Sequence, residues 1–78
     1  ILISSSGKSQ NLINAAKYVK KNKIKLITLT GFNKNNPLSK LGDLNIWVDS
    51  KSYNLVEMTH HILLVAAIDQ LSILKNDN

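Results

Sequence analysis

The chain has 78 residues, enough for one small domain, and 44% of them are hydrophobic, too many for a disordered segment. It has no cysteine, which excludes a disulfide framework and thiolate chemistry. The net charge of +5 comes from lysine alone, six of the lysines falling between Lys8 and Lys25, but with no arginine and only 5% aromatic residues there is little to read or stack bases, so these lysines are expected on a solvated helix face and nucleic acid is not expected as a partner.

Ile1-Leu2-Ile3 is a continuous apolar run and predicts a buried strand of a parallel sheet. It is too short for a signal peptide, and the longest apolar run, residues 62–68, falls well short of the ~20 residues a membrane helix needs. A soluble cytoplasmic protein is therefore expected, with no membrane partner. Three serines, Gly7, Lys8 and Ser9 follow, and a helical pattern starts directly after them. That order is strand, tight polar loop, helix start. A helix N-terminus carries unpaired N–H groups and a partial positive charge, so it attracts anions. Ser4, Ser5, Ser6 and Ser9 add hydroxyls around the same point, and Gly7 allows a tight turn. The loop reads as a phosphate cradle.

Residues 10–22 predict a helix: Leu12, Ala16 and Val19 recur at i, i+4 and i+7, with Ile13 and Ala15 widening the face. Ser9 is the expected N-cap, a role that competes with ligand binding, and Asn22 the expected C-cap. Residues 24–30 predict a second strand, which makes a βαβ unit and a parallel pairing. Ligands of such sheets bind beyond the carboxyl ends of the strands, so Ser4 to Ser9 and Thr30-Gly31 belong to one edge. An asparagine-rich loop runs to Pro37, and residues 37–41 predict one helical turn. Residues 44–48 form a third strand, and residues 54–74 a last helix. Residues 62–68 are apolar nearly all round, so this helix is expected to be buried on several sides, by a partner subunit or by further parts of the domain. Trp47 and Tyr53 are read as packing residues, and residues 75–78 are expected to fray.

The run Ser4-Ser5-Ser6-Gly7-Lys8-Ser9 resembles the S-x-S-G-x-[ST] loop of SIS (sugar isomerase) domains. The helix that follows, the strand Lys25-Leu26-Ile27-Thr28-Leu29-Thr30-Gly31 and the segment Leu38-Ser39-Lys40-Leu41-Gly42-Asp43 are similar to that family in the same order. The similarity is closest to the phosphoheptose isomerase branch, whose loop reads S-T-S-G-N-S-G-N and whose next strand reads V-I-T-L-T-G. The resemblance implies an α/β, three-layer, Rossmann-like parallel sheet flanked by helices. SIS domains are about twice this length, so residues 1–78 are expected to be the C-terminal portion of a single SIS domain. It also implies a sugar phosphate as ligand, aldose–ketose isomerisation of sedoheptulose 7-phosphate, a place in lipopolysaccharide or capsule sugar synthesis, and a homo-oligomer (dimer or tetramer).

Isomerisation needs a base that moves a proton between adjacent carbons, and Glu57, His60 and His61 are the one acid–base cluster. Glu57 and His61 are four residues apart and share a helix face, which makes them the candidate catalytic pair; the same spacing also suits a helix-surface or interface pair. His60 and His61 point about 100° apart, so only one can join Glu57 on a metal face, and no metal site is assigned. Zinc would need ligands from outside these residues. The phosphoheptose isomerases carry, on this helix, a metal-binding Gln and a catalytic His eight residues later. With Glu57 at the Gln position the His falls on Val65, and one residue earlier it falls on Leu64. Neither can take a proton, which keeps open a non-catalytic SIS module that senses phosphosugars or scaffolds protein partners. Tyr53, Glu57 and His61, spaced by four, resemble other SIS branches. A Walker A loop and a dinucleotide fingerprint both need further glycines near Gly7 and are excluded.

Overall fold

Strand β1 (Leu2–Ile3), helix α1 (Gln10–Lys21), strands β2 (Ile27–Thr30) and β3 (Leu44–Trp47) and helix α2 (Tyr53–Asn76) follow one another in the computed structural model, which describes residues 1–76. The strands form one parallel sheet in the order β1-β2-β3, with Leu2 beside Thr28 and Thr28 beside Asn45. The alternation of strand side chains puts Leu2, Thr28 and Asn45 on one face of the sheet and Ile3, Leu29 and Ile46 on the other.

Helix α1 covers the first face. Ala16, Leu26 and Leu38 are fully buried together, and Leu2, Leu12, Val19 and Leu41 pack around them. The helix stripe expected from Leu12, Ala16 and Val19 is therefore the one that meets the sheet. Each fully buried leucine here is worth about 1.5–3 kcal/mol of transfer free energy. The same face also holds a polar layer: the buried hydroxyls of Thr28 and Thr30 both donate to Asn45 Oδ1, at 2.7 and 3.2 Å. The asparagine thus satisfies both threonines, as buried hydroxyls require. On the second face Ile1, Ile3, Ile27 and Leu44 are exposed.

Several boundaries differ from the sequence expectation, each for a local reason. Strand β2 begins at Ile27, three residues late. Lys23 takes a left-handed conformation (φ 58°), and the N–H of Leu26 goes to the side chain of Asp43 (2.8 Å) while Leu26 O accepts from Asp43 N–H (2.8 Å). A carboxylate has taken the place of a ladder partner. Residues 37–41 form a turn closed by Leu41 N–H to Leu38 O (3.1 Å), with no helix. Asn22 caps α1, its Nδ2 donating to Tyr18 O at 2.8 Å.

Helix α2 is longer than expected at its end. It runs through Lys75 and Asn76, so of the residues expected to fray these two are helical, and 77–78 lie outside the described residues. Within this chain Val56 and His60 are its buried residues, and beyond His60 only Leu64 is even half-buried, which leaves its apolar face to the partner subunit or further parts of the domain that the sequence leads one to expect. Three short strands offer no surface for the distal turns, and Ile62, Val65, Ile68 and Leu71 all stand exposed.

Candidate functional site

The carboxyl ends of β1 and β2, the loop after β1 and the first turns of α2 meet at one edge. Ser4 continues the parallel ladder, its N–H donating to Leu29 O (3.0 Å), and the chain then turns sharply. The buried Ser4 hydroxyl accepts from Gly7 N–H at 3.1 Å, and the half-buried Ser6 hydroxyl accepts from Lys8 N–H at 3.3 Å. Each serine oxygen thus braces the loop from within while its own proton remains available. The half-buried Ser5 makes its contact through the backbone: its carbonyl accepts from Gly31 N–H at 2.7 Å, which ties the loop to the end of β2. Among the described residues the Ser5 hydroxyl has no hydrogen-bond partner.

Gly7 is in the left-handed region (φ 69°), and a Cβ there would overlap the Asn36 side chain. The loop therefore needs glycine twice over, for its backbone and for the approach of Asn36. Asn36 is 2% exposed and ties three segments: its Nδ2 donates to Asn33 O (2.9 Å) and Gly31 O (3.4 Å), and its Oδ1 accepts from Ser39 N–H (2.8 Å). Gly7 O in turn accepts from Leu38 N–H at 3.0 Å. The sequence reading missed this residue. The Asn36-Pro37 dipeptide was its one signal, since Asx side chains before proline start turns.

Ser9 occupies the N-cap position of α1 in an extended conformation but makes no capping bond with its side chain; its hydroxyl donates to Asn11 Oδ1 instead. The first intrahelical bond runs from Ile13 N–H to Ser9 O (2.9 Å), and the first turn holds no acidic residue. The expected competition between capping and ligand binding at Ser9 thus leaves the N–H groups at the start of α1 uncapped. They and the hydroxyls of Ser5 and Ser6 form a patch of donors with the positive end of the helix dipole behind it, while the Ser9 proton goes to Asn11. That patch suits an anion.

Helix α2 docks beside this loop through Val56 and His60. A Cβ on Gly31 would come within 2.6 Å of a Val56 methyl, so glycine is what lets the helix sit this close. His60, 2% exposed, places Nε2 3.0 Å from Thr30 O. A carbonyl only accepts, so Nε2 carries the proton, and Nδ1 is left buried without a partner among the described residues. Glu57 and His61 follow Val56 and His60 by one residue each, about 100° further round the helix, and both are exposed. They share a face, as their spacing requires, and hydrogen bonds to the serine loop are made by neither. The sequence reading gave weight to His61; the histidine that touches the strand edge is His60. Among the described residues no three His, Cys, Asp or Glu side chains come together.

Phe32 closes the edge in a left-handed conformation (φ 57°), unusual for a bulky residue. Its N–H donates to Ser50 O (2.9 Å), its carbonyl accepts from Trp47 Nε1 (3.3 Å), and its ring lies 4.6 Å from that of Tyr53. Trp47 and Tyr53 therefore do pack, and they pack around a strained turn. A separate cleft of about 250 Å³, lined by Lys20, Lys23, Ile24, Lys25 and Asp43, opens at the amino end of β2 and β3, away from the serine loop. Asp43 lines it with a carboxyl held below the usual aspartate range, chiefly by the Leu26 N–H, which outweighs the opposing desolvation, and to a lesser extent by Lys20 and Lys25.

A parallel α/β sheet that carries a serine–glycine loop and a helix N-terminus to one edge defines a domain of Rossmann-like build. The SIS domain family model matches residues 1–74, and the chain belongs to the SIS family. Membership points to phosphosugar binding. No curated protein and no solved structure matches the chain. Among the described residues no helix is long and apolar enough to cross a membrane.

Proposed function

We propose that the chain is the C-terminal portion of a single SIS domain, residues 1–78, whose completed form is a three-layer sandwich, and that Ser4, Ser5, Ser6 and Ser9 with the N–H groups at the start of α1 hold the phosphate of a sugar phosphate. One observation carries this reading. The loop is braced internally and tied to Gly31 and Leu38, yet the helix start it leads into is left uncapped. Donors held in place without an internal acceptor are what a phosphate needs. The exposed Ile1, Ile3, Ile27 and Leu44 support a further layer over the second face of the sheet.

The reaction we propose is aldose–ketose isomerisation of the phosphoheptose type, in the cytoplasm, in sugar synthesis for lipopolysaccharide or capsule, by a homo-oligomer. Family membership and the likeness of the loop and of β2 support it. Glu57 and His61 are the proposed acid–base pair, on the strength of their shared face and of the anchoring of α2 at the same strand edge. A second reading, a phosphosugar sensor without catalysis, is favoured by Val65 and Leu64 standing where that branch carries its histidine.

The test is a thermal-shift titration of the complete protein with phosphate, sedoheptulose 7-phosphate and fructose 6-phosphate, beside Ser6→Ala. A ligand that binds the folded state raises stability by RT ln(1 + [L]/Kd), about 2.7 kcal/mol at a hundredfold excess over Kd. A shift with one sugar phosphate, weakened in Ser6→Ala, is the expected result, and turnover of that sugar then separates enzyme from sensor. No shift with any of the three overturns the cradle.

A further inference from the structure

Sixteen residues of helix lie beyond His60, and a solitary helix of that length is marginal in water. One stripe along α2 runs without a break for nearly its whole length: Glu57, His61, Leu64, Ile68, Leu71 and Lys75. The steps alternate between four and three residues, the spacing of a coiled-coil seam. Ile68 and Leu71, in its distal half, are 63% and 66% exposed, and Leu64 is half-buried. The opposite side of the helix, through Ile62 and Ala66, is interrupted by Asp69 and carries no such seam.

The charges at the two ends of the stripe decide what fits it. Glu57 stands at one end and Lys75 at the other, about 27 Å apart along the axis, too far to pair within one helix. In a parallel pair of α2 helices, like charges would face each other at both ends. In an antiparallel pair with the twofold axis at the level of Ala66, Glu57 faces the partner's Lys75, His61 faces the partner's Leu71, and Leu64 faces the partner's Ile68. The stripe is self-complementary about that axis, which is what an isologous interface demands.

We infer that α2 is the contact between two copies of this chain, packed antiparallel about Ala66 with a Leu64–Ile68–Leu71 seam and a Glu57–Lys75 pair at each end. This deepens the homo-oligomer in the proposed function by assigning its surface, orientation and register. It is an alternative to the acid–base role of Glu57 and His61, because it places both side chains in the seam against the end of the partner's helix.

The experiment is sedimentation equilibrium of the complete protein, comparing Glu57→Lys, Lys75→Glu, the double exchange Glu57→Lys/Lys75→Glu, and Ile68→Asp. Each single reversal turns two attractions into repulsions and is expected to weaken association about tenfold; the double exchange restores both and returns it to near the unsubstituted value. Ile68 is exposed in the single chain, so Ile68→Asp is expected to keep its helical circular dichroism and lose the association. Association that survives Ile68→Asp, or a double exchange no better than the single reversals combined, overturns this interface while leaving a homo-oligomer of another kind standing. A monomeric unsubstituted protein overturns both. Because no arm contains a sugar phosphate, the result is independent of the cradle.

Discussion

The imidazole of His60 donates to the carbonyl oxygen of Thr30, 3.0 Å away, and thereby pins α2 to the end of β2. Val56, one turn earlier, packs on Gly31. These two contacts hold the long helix to the edge where the serine loop lies. The bond also explains why α2 leaves the body as it does: once the helix has passed the end of a four-residue strand, no further sheet lies beneath it.

His60→Ala removes one of the two donors to Thr30 O, the other being Val48 N–H, and leaves a cavity beside it. We expect a loss of about 3 kcal/mol in denaturant unfolding of the complete protein, chiefly from lost packing, with a smaller part from the lost bond, since Thr30 O keeps the Val48 N–H (2.9 Å). His60→Gln, which keeps an N–H donor, is expected to recover part of that loss. Equal stability for all three proteins would show that the contact does not hold the helix.

Gly7→Ala is expected to harm the loop more than the rest of the fold. The substitution forces a side chain into a left-handed backbone and onto Asn36, which must then give up its bonds to Gly31, Asn33 or Ser39. A cost of about 2 kcal/mol or more follows from the strain and the collision. Asn36→Ala relieves the collision, so in the double variant the cost of Gly7→Ala should fall. Additive losses would argue against contact between the two sites.

Asp43 sets a pH dependence. The Leu26 N–H, with Lys20 and Lys25, holds its folded-state pKa below the unfolded value, so the folded chain binds the proton less readily than the unfolded one. The stabilisation is present above the unfolded pKa, about 3.9, and is lost as pH falls through the lower folded value. Asp43→Asn should therefore be less stable than the unsubstituted protein near pH 7, and the gap should close below about pH 4. Added salt should narrow the part due to the lysines, which is exposed and screened. A gap that stays constant from pH 7 to pH 2 would refute this role.

Much of the fold was legible in the chain. Period-2 and period-3.6 patterns depend on local chemistry, and Leu12, Ala16 and Val19 face the core as their spacing requires. The order strand, serine–glycine loop, helix likewise places Ser4 to Ser9 at a carboxyl edge, because a parallel crossover allows no other arrangement. The pins were not legible. Asn36 and Asp43 act through bonds to residues remote from any pattern, and nothing in a single sequence says that a loop asparagine reaches Gly31 or that an aspartate replaces a ladder partner at Leu26. The choice between His60 and His61 belonged to the tertiary structure as well. Both are imidazoles on one helix turn, and only the docking of Val56 against Gly31 determines which turns inward to Thr30. The apolar wealth of α2 was visible in the sequence, but that it lies open beyond His60 was decided by the size of the sheet beneath it. Periodicity records which residues avoid water, and packing geometry alone decides what they meet.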